Sequence, residues 1–330
     1  MVLTLSKTNI INTLIGSKEL AIRLKTYLKL LEHDYGSNEV KKLTKNIKTK
    51  SRVYKSLFSH LPKKGEIPAK GVYHKWYGVH WILYVLADLG YPPGDLSLIP
   101  SRNFELDWLF SDQHWLKKPT IDGRKRFCAS MEGNALYSLL YLKLDDGRCS
   151  QLADRLIKYQ WDDGGWNCDK KPKAINSSYN ESLFPLRSLN LYSSIIDKPE
   201  VKIAINRAAE VFLKRDLYKN MHTGEIINPK WIKLSYPPYW HYEILSILKV
   251  LAEANRIKDK RCNDALDLLE KKRLDDGGFP AEARYYLGSA KSNISPVDWG
   301  GVNKRKSNPW VTLDALYVLK KAGRIDLTQN

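Results

Sequence analysis

Apolar positions recur at i, i+3, i+4 and i+7 through 151–160 (QLADRLIKYQ), 202–217 (KIAINRAAEVFLKRDL), 241–256 (HYEILSILKVLAEANR) and 264–272 (DALDLLEKK). That spacing lays one apolar stripe along an α-helix. Alternation of period two, the mark of a half-buried strand, is scarce. Gly- and Pro-rich stretches (YPPGD, DDGGW, YPPYW, DDGGF) stand between the helical segments and end them sharply. The pattern predicts an all-α chain of helices joined by tight turns.

The helices also repeat. LIKYQWDDGGW (156–166) returns as LLEKKRLDDGGF (268–279), with Gly165 and Gly278 separated by 113 residues, and FLKRDLYKNMHTGE (212–225) lies midway, so the unit is a little under 60 residues. Each turn leads into a second helix that opens on aromatic or small polar residues, as in RFCASMEGNALYSLLYL, INSSYNESLFPLRSLNLY, YPPYWHYEILSILKVLAEA and NPWVTLDALYVLKKAGR; KWYGVHWILYVLADLGYPP (75–93) is an earlier copy. Five helical hairpins are visible, and the helices between about Ser17 and His60 offer a sixth. Stacked hairpins must cover their end units, and a ring does so by closing on itself. The predicted fold is an (α/α) toroid of five to six hairpins, with inner helices around a central cavity. Residues 1–70 form a basic helical segment that can supply the first hairpin, and 71–330 form the rest of the ring. The aromatic helix starts then mark Trp76, His80, Trp166, Tyr179, Trp240 and Trp310 as lining.

QWDDGGW (Gln160–Trp166) resembles the repeat of squalene–hopene cyclases, and DDGGF (275–279) is similar to the turns of protein prenyltransferase β-subunits. The resemblance covers about 70–325. KWYGVHW, CASMEGNAL, GGWNCD, YNESL, HTGEIINP and YPPYWHYE are most similar to squalene-cyclase-like or prenyltransferase-like single-toroid proteins with no assigned reaction. It implies the terpenoid cyclase–prenyltransferase toroid, with Gln160 and Trp166 bracing neighbouring helices, and an isoprenoid or otherwise apolar substrate. It does not extend to cyclisation by either familiar route. No DxDD occurs, and the acidic pairs at 145–146, 162–163 and 275–276 are each followed by Gly instead of completing a DDxxD run. These pairs read as turn residues.

The same resemblance implies a zinc site. Prenyltransferases hold zinc with a carboxylate and a Cys just after one such turn and a His at the next inner helix. Cys168 and His241 fall at those places here, while Trp166 stands where the family has its Asp, leaving Asp163 or Asp169 to substitute. Cys128, and Glu132 one turn on from it, are placed to face the same cavity. Cys128, Cys168, His241 and one carboxylate would offer the ligand types zinc prefers.

Independently of a metal, ionisable groups gather at the inner-helix starts. Glu132, Glu181, His241 and Glu243 are the acid–base candidates, since desolvation brings a buried Glu toward neutrality. Carboxylates at helix starts also cap backbone donors. Arg126, Arg187, Arg284 and Lys75 are candidates for clamping an anionic group. No HExxH, P-loop, GxGxxG or GxSxG occurs.

The formal charge is +18, and residues 1–70 hold 15 Lys or Arg against 5 acids. That excess raises a second reading, a non-catalytic module that binds nucleic acid or another anion through the N-terminal segment. A third is cleavage of glycosidic bonds by paired carboxylates, as other (α/α)6 barrels do. Four scattered cysteines give no disulfide framework, and no stretch has the length and apolarity of a membrane span. A cytoplasmic protein is the expectation.

Overall fold

In the computed structural model, residues 8–63, 65–66, 71–286 and 294–327 are described. Among them the chain is helical, with two short antiparallel strand pairs, the hairpin of Thr120–Ile121 (β1) with Arg124–Lys125 (β2), and Pro280–Ala281 (β3) with Asn303–Ser307 (β4). Residues 8–58 form α1 (Thr8–Ile15), α2 (Leu20–Lys25, prolonged by one π turn over Thr26–Leu30), α3 (Asn38–Thr44), α4 (Ile47–Lys50) and α5 (Arg52–Phe58). Then come α6 (Val79–Asp88), α7 (Ile99–Leu109), α8 (Asp112–Trp115), α9 (Ala129–Tyr141) and α10 (Arg148–Lys158). The remainder are α11 (Tyr179–Ser193), α12 (Pro199–Leu213), α13 (Ile244–Glu253), α14 (Asn263–Glu270) and α15 (Pro309–Lys321).

Two kinds of helix alternate, and their composition says where each sits. α10 keeps one apolar stripe, burying Cys149, Leu152, Ala153 and Leu156, so its other face meets water. α6 buries all ten of its residues and α15 buries ten of its thirteen, from Trp310 through Leu319. Helices apolar all round belong inside. The inner set is α2 with its π turn, α6, α9, α11, α13 and α15, each packed on the next, and Lys25 of α2 reaches Asp88 of α6 at 3.2 Å to close the circle. The chain is therefore an all-α (α/α) toroid.

Local sequence explains the tightest contacts. A Cβ on Gly133 would lie 2.6 Å from the backbone of Phe184 and Pro185, so only glycine lets α9 approach α11 this closely. Gly164 has φ +101°, and a side chain there would also strike the Arg207 carbonyl. Gln160 and Trp166 are the staples of this turn. Gln160 donates to the Gly164 and Ala204 carbonyls at 2.8 and 2.9 Å, and the Trp166 indole donates to the Leu156 carbonyl at 3.0 Å.

The interior differs from the expected aromatic cavity. Asp88 sits on the ring axis with Lys25, Arg187 and Lys249 around it, Asp314 takes the two lysines, and Glu253 takes Arg187 from the other side at 2.7 Å. Tyr137 of α9 lies under the Arg187 guanidinium at 3.9 Å, so all six inner helices contribute. The space lined by Tyr84, Arg187, Ser235, Glu243, Lys249 and Asp314 amounts to about 20 Å³, room for about one water. Arg187, considered as a substrate clamp, is thus held in a structural ion cluster. The aromatic rings pair with one another around this cluster, and Trp310, with Trp299, also lines a separate cleft of about 330 Å³ beside Glu19, Ile22 and Val53. Trp76 stacks on Tyr239 at 3.9 Å, Trp310 lies against Tyr236 and Trp299, and Tyr179 packs on Phe212, Trp231 and Tyr242.

Candidate metal centre and its surroundings

Three ligand-type side chains meet where the starts of α9 and α11 adjoin. Cys128 is the residue preceding α9, Cys168 follows the GGW turn, and Glu181 lies in the first turn of α11. Their sulfur and oxygen atoms all lie within 4.8 Å of one another. The Cys168 Sγ donates to Glu181 Oε1 at 3.3 Å, and Glu181 Oε2 accepts the Ser130 N–H at 3.0 Å, which fixes the carboxyl against the start of α9. Both cysteines are half-buried, and Glu181 is buried.

The electrostatics oppose the charged forms of Cys168 and Glu181 and favour that of Cys128. The Cys168 thiol is pushed far up, first by its hydrogen bond with the Cys128 sulfur, then by burial and by Glu181. Burial raises Glu181, outweighing the Ser130 and Cys168 hydrogen bonds. Cys128 is lowered by its hydrogen bond with Cys168. Three groups that become anionic at close quarters oppose one another's ionisation, and a divalent cation inverts that balance by favouring every deprotonated ligand.

His241 is not part of this group. The loop before α13 places it ahead of the helix, where its ring stacks on Tyr285 at 3.6 Å and against Trp240 at 4.2 Å, and Nδ1 lies 3.2 Å from the Pro238 carbonyl. Burial lowers it to about 4, so it is neutral at physiological pH. Lys75 lies over the Trp240 and Trp76 rings, and Arg284 is exposed. Trp166 is a buried brace and not a lining residue.

The other carboxylates separate by role. Glu243 is the cap of α13, accepting the Leu245 and Ser246 N–H groups at 2.8 Å each and the Ser246 hydroxyl. Glu132 faces α10, where Oε1 accepts from Arg155 at 3.0 Å while Oε2 is buried with no hydrogen-bond partner. A pair that sequence reasoning missed is His80 with Glu105, joined at 2.7 Å and wholly buried. A histidine inside the apolar run VHWILYVLAD was the available signal, but Glu105 is on α7, and only the fold brings the two together.

Burial raises Glu132 to about 7 despite Arg155, and raises Glu243 to about 7 despite its capping bonds. Both carboxyls therefore hold a proton more tightly in the folded than in the unfolded chain, and stability falls as pH rises from about 4.5 to 7. Chemical denaturation at pH 5, 6, 7 and 8 should show this fall, and Glu132→Gln should flatten it by on the order of 3 kcal/mol. Parallel profiles for the two proteins would mean that Glu132 ionises as an ordinary surface carboxylate.

No family model and no curated sequence matches the chain. Solved structures do. A glycosyl hydrolase of family 88 from Bacteroides vulgatus matches with 9% identity and a TM-score of 0.52, over 97% of this chain and 98% of that one. A polysaccharide lyase matches with 10% identity, the same coverage and the same TM-score. A type II terpene cyclase from Scytonema matches with 12% identity over 75% of this chain and 87% of that one, at a TM-score of 0.27. At such identities the likeness is one of fold. No helix among the described residues is long and apolar enough to cross a membrane.

Proposed function

We propose that the protein is a metal-binding toroid whose working centre is Cys128, Cys168 and Glu181, and that the ion it takes is zinc. One observation carries this: two thiols and a carboxylate, from three separate segments, have their ligand atoms within 4.8 Å of one another. Two sulfurs and one oxygen are a donor set that suits zinc, and three protein ligands leave the fourth tetrahedral position for water or substrate. Bound there, zinc would supply a Lewis acid that polarises a substrate oxygen or activates a water. The residues of the chain supply orientation: Ser130 fixes Glu181, and Tyr73, whose hydroxyl is raised by burial and by Cys128, Glu181 and Cys168, stays protonated beside the centre. A long isoprenoid threading the ring is not part of this reading, because the axis is occupied by the Asp88 cluster.

The reading is tested by titrating the reduced protein with cobalt(II), which reports thiolate ligation by an intense sulfur-to-cobalt absorption. Wild type should show the band at one equivalent, displaced by zinc, and Cys128→Ser and Cys168→Ser should each weaken it strongly. A wild-type protein without the band would end the proposal.

Cleavage of glycosidic bonds is the second reading. What favours it is Glu132, a buried carboxyl held at about 7 with one free oxygen, which is the condition of a general acid at neutral pH. The fold is also one that a glycosyl hydrolase and a polysaccharide lyase share. The two readings part experimentally. A metal enzyme loses activity to a chelator and in Cys168→Ser, whereas a glycosidase ignores both and is lost in Glu132→Gln.

A further inference from the structure

Arg126 leaves the β1–β2 hairpin two residues before Cys128 and is only 1% exposed. Its backbone N–H is held by the Pro119 carbonyl at 2.8 Å, and its Nη1 donates to the Ala174 carbonyl at 2.6 Å. Its guanidinium lies over the Trp161 ring at 4.5 Å, with the Trp161 indole in turn donating to the Lys125 carbonyl. The side chain is thus fixed in position. Yet Nε and Nη2 are buried and have no hydrogen-bond partner, and no carboxylate of the described residues forms an ion pair with Arg126.

Nε–H and Nη2–H are adjacent and point the same way, so together they form the edge of an arginine that accepts two oxygens of one phosphate or carboxylate in parallel. A buried cation without a counter-charge is among the most costly arrangements a protein interior can hold. Its surroundings supply no remedy. Arg124 lies over the same Trp161 ring at 5.6 Å, and Arg207 donates to the Trp161 carbonyl. Asp163 is engaged by the Ser177 N–H and hydroxyl, and Asp162 faces solvent. The segment that carries Ala174 is KKPKA, with Lys170, Lys171 and Lys173 all exposed.

We propose that the Nε–Nη2 edge of Arg126, set against Trp161 and beneath the 170–174 loop, binds a small oxyanion, either free or as the phosphate or carboxylate group of a larger ligand. The site stands on Arg126 and its neighbours alone and does not depend on a metal at Cys128 and Cys168. Trp161 lies against the guanidinium, and Ala174 takes an Nη1–H, which is outside the edge that the anion would use. An arginine so held pays little conformational entropy on binding.

Isothermal titration of the purified protein in chloride buffer with inorganic phosphate, and separately with acetate, tests the proposal. The expected result is saturable binding of one oxyanion per chain by at least one of the two, with phosphate alone or acetate alone identifying the preferred class. Arg126→Met should abolish the heat, and Arg126→Lys, which keeps the charge but has no fork, should weaken binding at least tenfold. Wild-type protein that gives no saturable heat with either anion overturns the proposal, and so does binding that Arg126→Met leaves unchanged. Because the wild-type titration decides by itself, a variant that fails to fold does not rescue the idea.

Discussion

Replacing Asp88 by Ala will destabilise the fold by on the order of 3–5 kcal/mol, the range seen when one partner of a buried ion pair is removed. The carboxylate is 4% exposed and touches Lys25, Arg187 and Lys249 at 3.2, 3.0 and 2.6 Å, with Tyr236 donating a further hydrogen bond. Burial alone would raise Asp88, but Lys249, Lys25 and Arg187 outweigh it and hold the carboxyl well below the usual range. Its removal leaves three buried cations with Asp314 and Glu253 alone to answer them. The cluster also ties α2, α6, α11, α13 and α15 at the axis, so the loss falls on ring closure and not on one helix. Urea denaturation measures it. A cost below about 1 kcal/mol would mean that water enters the axis and screens the charges. The same sign appears in acid: Glu253 too is lowered, burial being outweighed by Arg187, so stability from this cluster is present above the ordinary carboxylate range and is lost as pH falls below about 4.

Trp166→Ala should cost a similar amount, on the order of 3–5 kcal/mol. The indole is fully buried, its N–H donates to the Leu156 carbonyl near the end of α10, and the Trp166 backbone N–H donates to the Ser182 hydroxyl oxygen of α11. Trp166 thus joins the outer helix of one hairpin, through its indole, to the inner helix of the next, through its backbone. Trp166→Phe keeps most of the apolar contact and loses the indole bond, so it should cost about 1–2 kcal/mol. If the two variants were equally mild in denaturant titration, the brace between repeats would reside elsewhere in the turn.

The ring was legible because its signals are local and repeated. The 113-residue separation of Gly165 and Gly278, the apolar stripe of α10 and the largely apolar runs of α6 and α15 each point to a helix with a known side. The interior was less legible. Asp88, Lys249 and Asp314 are charges inside apolar runs, and a charge in VHWILYVLAD or ILSILKVLAE does not name its partners, which come from distant helices, Lys249 to Asp88 spanning 161 residues and Lys25 to Asp314 still more. The aromatic helix starts suggested a lined cavity, but rings that stack pairwise, as Trp76 does on Tyr239, fill space as readily as they surround it.

The candidate site was legible in its residue types more than in its grouping. Cys128, Cys168 and Glu181 stand out in the sequence, Glu181 as an acid–base residue. Resemblance pointed to His241 as the metal ligand, yet the turn before α13, with Tyr239 at φ +50°, sets that ring against Tyr285. Arg126 was visible as a cation near Cys128. That its fork is buried and free could be seen only after Trp161 and Ala174 had been placed around it.

The central claim, a metal at Cys128, Cys168 and Glu181, is tested most directly by native mass spectrometry of protein purified from a cell extract without chelator, with elemental analysis of the same sample. The account expects one zinc per chain in wild type and none in Cys168→Ser of unchanged helicity. Wild-type protein of apo mass, which takes up no zinc when the ion is added in equimolar amount under reducing conditions, would contradict it.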